Sequence, residues 1–212
     1  MGIANYITFT RILISPLFML FYIYPTFFGI QEIQLPFVLL FLLSISELSD
    51  ALDGYIARRF NQISEFGKIF DPMADSIARI SVFLTFTHPP INLPLPLIFI
   101  FLYRDSITST LRTICALRGF ALAARTSGKI KAIVQAIASF IILFLMILHS
   151  MGSLSLTNLQ SYSYWIVLAA ALYALLSLLD YIYSNRHYIA KLAEQSSPTP
   201  SSPIPFNLPT AK

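Results

Sequence analysis

Six long stretches of the chain are apolar, and most polar residues gather between them. The runs lie at Tyr6–Phe28, Leu35–Leu52, Ile69–Thr87, Leu93–Leu117, Ile130–His149 and Tyr162–Tyr183. Each is close to the roughly 20 helical residues needed to cross a hydrocarbon core. None alternates apolar and polar positions over the length of a barrel strand, which argues against a membrane β-barrel. The first run contains Arg11 and Pro16 and shows no small-residue cleavage site, so it reads as a retained helix rather than a signal peptide. The pattern predicts an all-α membrane protein with six transmembrane helices, occupying residues 1–194. After Glu194 the pattern stops. The segment QSSPTPSSPIPFNLPTAK holds five of the 13 prolines. Proline blocks helix, so residues 195–212 are expected to form a mobile Pro/Ser-rich tail. No internal repeat is visible.

Composition narrows the class. Of 212 residues, 56% are hydrophobic and only 11% charged, and the mean hydropathy is +0.71. Soluble domains carry about 25% charged residues, so this chain cannot cover its apolar surface in water. That excludes an ordinary soluble enzyme and a disordered protein. The single Cys115 excludes an internal disulfide framework and a CxxC metal site; by itself it reads as a small buried apolar residue. The net charge of +4 comes from its placement. Arg58, Arg59 and Lys68 lie between the second and third runs. Arg118, Arg125 and Lys129 lie between the fourth and fifth, with Lys131 at the very start of the fifth, and Arg186, Lys191 and Lys212 follow the sixth. The other three loops, near Gln31, at Pro89–Pro90 and at Ser150–Ser161, hold no Lys or Arg. By the positive-inside rule both termini and the two basic loops are cytoplasmic. This accounts for the basic character without a nucleic-acid partner.

Carboxylates are concentrated in SDALDGYIARRFNQISEFGKIFDPMADS, residues Ser49–Ser76. Asp50 and Asp53 are three apart, and Asp71 and Asp75 four apart, so on helices each pair shares a face. From Glu47 to Ser76 six carboxylates face three basic residues, a net of minus three. Each Asp taken alone has an ordinary use: Asp50 or Asp53 could cap a helix or face water, and Asp71 before Pro72 resembles an N-cap with proline at the first helical position. Four together beside a membrane are costly unless protons are shared or a cation is bound. An all-oxygen set suits Mg²⁺ or Mn²⁺. Gly54 and Ala57 would let a ligand, or a neighbouring helix, approach closely. Gly67 could admit a ligand or a turn. Arg58 is suited to phosphate oxygens. Together these residues suggest a metal-clamped diphosphate site.

The spacing Asp50-x2-Asp53-Gly54-x2-Ala57-Arg58-x8-Gly67-x3-Asp71-x3-Asp75 resembles, without a gap, the signature of the CDP-alcohol phosphatidyltransferase family. The resemblance implies six transmembrane helices with the active site at the cytoplasmic side. It implies transfer of a phosphatidyl group from CDP-diacylglycerol to an alcohol, with release of CMP. Asp50, Asp53, Asp71 and Asp75 would hold two divalent cations, Mg²⁺ or Mn²⁺, and Asp75 would also act as general base. Gly54, Ala57, Arg58 and Gly67 would receive the CDP moiety.

Three flanking segments are similar to the branch of that family whose acceptor is glycerol-3-phosphate. They are Asn5-Tyr6-Ile7-Thr8-Phe9-Thr10-Arg11, the stretch from Arg104 to Arg112, and Thr126–Gln135 with its Gly128-Lys129-Ile130-Lys131 core. Ser76 stands where that branch has lysine. A glycerol-3-phosphate dianion needs cations of its own, for which Arg104, Arg112, Lys129 and Lys131 are the candidates. Their ordinary alternatives are topological for the lysines and, for Arg104, an ion pair with Asp105; Asp105 could equally pair with Arg79. Arg11 could snorkel to the interface. His88, His149 and His187 are assigned no chemistry, and Trp165 reads as an interfacial residue. Other acceptors within the family are inositol phosphate, serine or phosphatidylglycerol. Outside it, the alternatives are a divalent-cation transporter, for which no repeat is visible, and a structural lipid-binding protein. A bacterial inner membrane and a homodimer complete the expectations.

Overall fold

The computed structural model of the protein describes residues 3–59, 65–117 and 126–189, with side chains outside 3–9, 50–59, 65–71 and 116. Among the described residues, six α-helices carry the fold: α1 Ile3–Ile23, α2 Leu35–Arg59, α3 Glu65–Thr85, α4 Leu95–Leu117, α5 Thr126–Ser150 and α6 Leu156–Ser184. A 3₁₀ turn at Pro25–Phe28 follows α1. No strand occurs among the described residues. The predicted tail at 195–212 lies outside them.

Each helix overlaps one apolar run, but several ends differ from the pattern for identifiable reasons. The first run is cut after Ile23 because Pro25 cannot continue an α-helix and restricts the residue before it. The 3₁₀ turn that starts there ends at Gly29, whose φ of 68° suits glycine. Helix α2 outlasts its apolar run, so Asp50, Asp53, Gly54, Ala57 and Arg58 all sit on helix. Helix α3 starts at Glu65. Gly67 is therefore helical rather than in a turn, and Pro72 is inside the helix rather than at its first position. The N-cap reading of Asp71 fails for the same reason. Helix α6 starts at Leu156, well before Tyr162, because Ser155 caps it: its Oγ accepts from the Asn158 N–H at 3.3 Å.

Helix α1 packs on α2 and α3, and α6 packs on α4 and α5. Contacts of α2 with α5 and of α3 with α4 and α5 join the two groups. The core is aromatic where α1, α3 and α4 meet. Phe18 and Phe86 make an edge contact at 6.0 Å, and Phe83 lies 4.9 Å from Phe101. Along α6 the buried positions are small instead: Ala170, Ala171, Ala174 and Ser177. Small side chains let backbones approach, which matters in lipid, where apolar burial alone gives helices little reason to associate. The loop joining α3 to α4 is held from α1 and α6. Tyr22 Oη donates to the His88 carbonyl at 3.0 Å, and Gln160 Nε2 donates to the Pro90 carbonyl at 2.9 Å.

The exterior is oily. Leu13, Phe41, Phe144, Trp165, Leu172 and Leu176 are all more than half exposed. Helices α5 and α6 are long and apolar enough to cross a membrane, and α1 and α2 contain shorter apolar stretches at Thr10–Ile23 and Leu35–Ser49. A soluble monomer rarely shows so much contiguous apolar surface, so the bundle is built to associate with a membrane. Helices α3 and α4 interrupt their apolar runs with charge: Asp71, Asp75 and Arg79 on one, Arg104, Asp105 and Arg112 on the other.

Candidate active site

The charged residues of α3 and α4 meet those of α5 around a cavity of about 140 Å³. Helix α4 contributes Arg104, Thr108 and Arg112 at successive turns. Helix α3 contributes Asp75, Ser76 and Arg79, and α5 contributes Gly128 and Lys131. All six charged lining residues, Asp75, Arg79, Arg104, Asp105, Arg112 and Lys131, carry chemistry that the apolar pattern hides, since each sits within a run read as a span.

Asp105 organises one wall. It is 6% exposed and accepts from Arg104 Nη1 at 3.0 Å. It also accepts from Lys131 Nζ at 2.8 and 2.9 Å through its two oxygens. An unpaired carboxylate here would be expensive; two cations around it offset the desolvation. The ordinary alternative for Arg104 therefore holds as geometry, and Lys131, not Arg79, is the second partner of Asp105. The other terminal nitrogen of Arg104, Nη2, donates to Ser177 Oγ on α6 at 2.8 Å. Gly128 makes room for it, because a Cβ there would lie 3.2 Å from that nitrogen. Arg112 is placed over the Tyr181 ring, 5.6 Å from its centroid, a cation–π distance. Ser127 Oγ donates to Asp180 at 2.6 Å, tying the start of α5 to the same turn of α6.

Among the described residues, three buried polar atoms along α4 have no hydrogen-bond partner: Arg104 Nε, Thr108 Oγ1 and Arg112 Nε. Leaving such groups unmet costs about 1–3 kcal/mol each, and all three belong to residues that line the cavity. Four basic side chains, Arg79, Arg104, Arg112 and Lys131, face two carboxylates, Asp75 and Asp105, in the lining. The wall is thus net plus two.

Asp75 marks the opposite side. Its Oδ1 pairs with Arg11 Nη1, and the Arg11 side chain is 3% exposed against 29% for Asp75. Arg11 is therefore not snorkelling; it is drawn inward to a carboxylate 64 positions away. Asp50 and Asp53 lie on α2 and Asp71 on α3, as do Gly54, Ala57, Arg58 and Gly67 on their helices; their side chains are outside the described set. No cluster of three His, Cys, Asp or Glu occurs among the described side chains, of which Asp75 is the one member of the predicted metal set. An all-carboxylate donor set still fits a hard divalent cation in kind.

Of the four predicted acceptor cations, the cavity brings together Arg104, Arg112 and Lys131. Lys129 is exposed in the first turn of α5 and does not line it. Sequence reasoning passed over Thr108, Arg79 and the α6 contacts. Thr108 is signalled by its position midway between Arg104 and Arg112, and Arg79 by its place four after Asp75. Nothing local marks Ser177, 73 positions from Arg104. A wider groove of about 400 Å³ between α3 and α4 shares Ser76, Asp105 and Ser109 with the polar cavity and is otherwise lined largely by apolar side chains such as Met73, Ile77 and Leu102.

A family model for CDP-alcohol phosphatidyltransferases matches residues 1–176. The chain belongs to that family and is a transferase of its kind, one that generally works with divalent cations. Among its relatives is the CDP-diacylglycerol–glycerol-3-phosphate 3-phosphatidyltransferase of Bacillus subtilis (strain 168), 31% identical over 148 residues. That match covers 65% of this chain and 74% of that protein. The enzyme of the same name from Rickettsia typhi (strain ATCC VR-144 / Wilmington) is 31% identical over 154 residues, covering 72% of this chain and 79% of its own. A CMP-forming cardiolipin synthase of Streptomyces coelicolor (strain ATCC BAA-471 / A3(2) / M145) is 37% identical over 105 residues, 50% of this chain and 47% of the relative. The α6 contacts to Arg104 and Arg112, from Ser177 and Tyr181, lie just beyond the family match.

Proposed function

We propose that the protein moves a phosphatidyl group from CDP-diacylglycerol to glycerol-3-phosphate, giving phosphatidylglycerophosphate and CMP. The observation that carries the choice of acceptor is the net plus-two cavity beside Asp75. An uncharged or zwitterionic acceptor such as serine has no use for that surplus, whereas a phosphate dianion balances it. Relatives named for this reaction support the same reading.

In this reading Arg104, Arg112 and Lys131 hold the acceptor phosphate. Its hydroxyl is directed toward Asp75, which takes the proton as the oxygen attacks the donor phosphorus. Asp105 keeps two of the cations in place while they wait. Arg11 keeps Asp75 oriented. Asp50, Asp53, Asp71 and Asp75 would hold two Mg²⁺ or Mn²⁺ ions, which supply charge stabilisation at the donor diphosphate. Gly54, Ala57, Arg58 and Gly67 would receive the CDP moiety. All six helices cross the membrane, with both termini and the site at the cytoplasmic side of a bacterial inner membrane, and two chains associate as a homodimer.

The test is CMP release by purified protein from CDP-diacylglycerol with a panel of acceptors: glycerol-3-phosphate, inositol phosphate, serine and phosphatidylglycerol. Glycerol-3-phosphate should be preferred, and excess EDTA should stop the reaction. Preference for inositol phosphate, serine or phosphatidylglycerol would refute the acceptor; full turnover in EDTA would refute the cation requirement.

A further inference from the structure

The charge of the cavity depends on a residue outside the acceptor set named above. Arg79 lies one helical turn after Asp75 on α3, on the same face, and lines the cavity with Arg104, Arg112 and Lys131. It also lines a second, much smaller space of about 10 Å³ together with Ser46, Glu47 and Ser139. There Arg79 Nε lies 3.6 Å from Glu47 Oε1 on α2, and the two side chains are 14% and 24% exposed. The guanidinium thus stands between two spaces, with a carboxylate behind it and the site in front.

Three features make this more than a tie between α2 and α3. First, Asp105 already engages Arg104 and Lys131, so much of their charge is answered within the protein. Second, without Arg79 three cations would face two carboxylates in the lining, and the surplus would fall from plus two to plus one. Third, a guanidinium has five N–H donors in a fixed fork. That is enough to serve a ligand beside its partners in the protein, and the 3.6 Å to Glu47 is an ion-pair distance rather than a hydrogen bond. The neighbouring lining position, Ser76, brings only a hydroxyl.

We propose that Arg79 is a further acceptor-phosphate-binding residue, and that Glu47 is the positioning residue that aims its guanidinium into the cavity. The assignment rests on the glycerol-3-phosphate reading and adds a fourth cation to it.

The test uses the full chain in detergent, with KM measured separately for glycerol-3-phosphate and CDP-diacylglycerol. Wild-type protein is assayed first. If it releases no CMP with glycerol-3-phosphate, the acceptor reading itself fails, before any variant is compared. Given wild-type turnover, Arg79→Gln should lower kcat/KM for glycerol-3-phosphate by about 10- to 150-fold, the loss expected for one charge-assisted contact. The KM for CDP-diacylglycerol should not move. Arg79→Lys, which keeps the charge but not the fork, should recover part of the loss. Glu47→Gln should raise the glycerol-3-phosphate KM by a smaller factor in the wild-type background and cost nothing further beside Arg79→Gln, since the two act as one unit. An unchanged glycerol-3-phosphate KM in folded Arg79→Gln protein would overturn the proposal. So would an equal rise in both KM values, which marks a helix tie and no more. Should Arg79→Gln not fold, the same two readings on Arg79→Lys and Glu47→Gln decide: wild-type acceptor KM in both sinks the assignment.

Discussion

Asp75 is asked to do two things that pull in different directions. In the proposed reaction it must accept a proton, and it must be held still without losing that capacity. Its ion pair with Arg11 serves the second, because a guanidinium fixes the direction of the carboxylate. Asp75→Asn keeps an oxygen for Arg11 but cannot take a proton. It should abolish CMP release while leaving the melting midpoint in detergent close to wild type. Residual turnover near the wild-type rate would remove Asp75 from the chemistry. The two lysines at the start of α5 make a second contrast at this scale. Lys131 is 4% exposed and bonded to both oxygens of Asp105, whereas Lys129 faces outward. Lys131→Ala is expected to raise the glycerol-3-phosphate KM at least tenfold, given about 1.5–3 kcal/mol for a charged hydrogen bond. Lys129→Ala should leave it unchanged. Equal effects would mean that the cavity drawn here is not the acceptor site.

Among the elements, what the sequence could say depended on whether the cause was local. Apolar runs located all six helices, since the length requirement is local. Their ends were harder to read. Tyr6–Phe28 looked continuous because every residue near Pro25 is apolar, and hydropathy is blind to a missing N–H. The acidic motif was legible as spacing, and the same spacing put each carboxylate pair on one face. The partners of those faces were not legible, because Arg11 with Asp75 and Arg104 with Ser177 are brought together only by packing. Helix α6 is the element that closes the cavity wall from behind, and it approaches through alanines. Ala171, fully buried, should not tolerate a larger side chain: Ala171→Leu is expected to cost about 1–3 kcal/mol by overpacking. Ala169, two positions earlier and exposed, gives the control. A melting midpoint unaltered by Ala171→Leu would show that α6 is not closely packed at that point.

For the whole molecule, the division of labour is between an oily exterior and a few charged side chains gathered where α3, α4 and α5 meet. Exposed Leu172 and Leu176 on α6, or Phe41 on α2, do nothing for the reaction directly. They fix where it happens. The donor carries two acyl chains and shares the environment of that exterior; the acceptor carries two negative charges and does not.

That oily flank has a kinetic consequence. The two reactants reach the protein from phases of different dimension, so their concentrations are counted differently: acceptor per volume of water, donor as a mole fraction of the surface around the helices. Adding inert detergent at constant total donor dilutes the donor in its own plane without changing its bulk concentration. Turnover should therefore fall as micelles are added and return when the donor-to-detergent ratio is restored, with the glycerol-3-phosphate KM unmoved throughout. A rate that followed bulk donor concentration alone would mean that the donor arrives through water, and that the apolar flank has no part in its delivery.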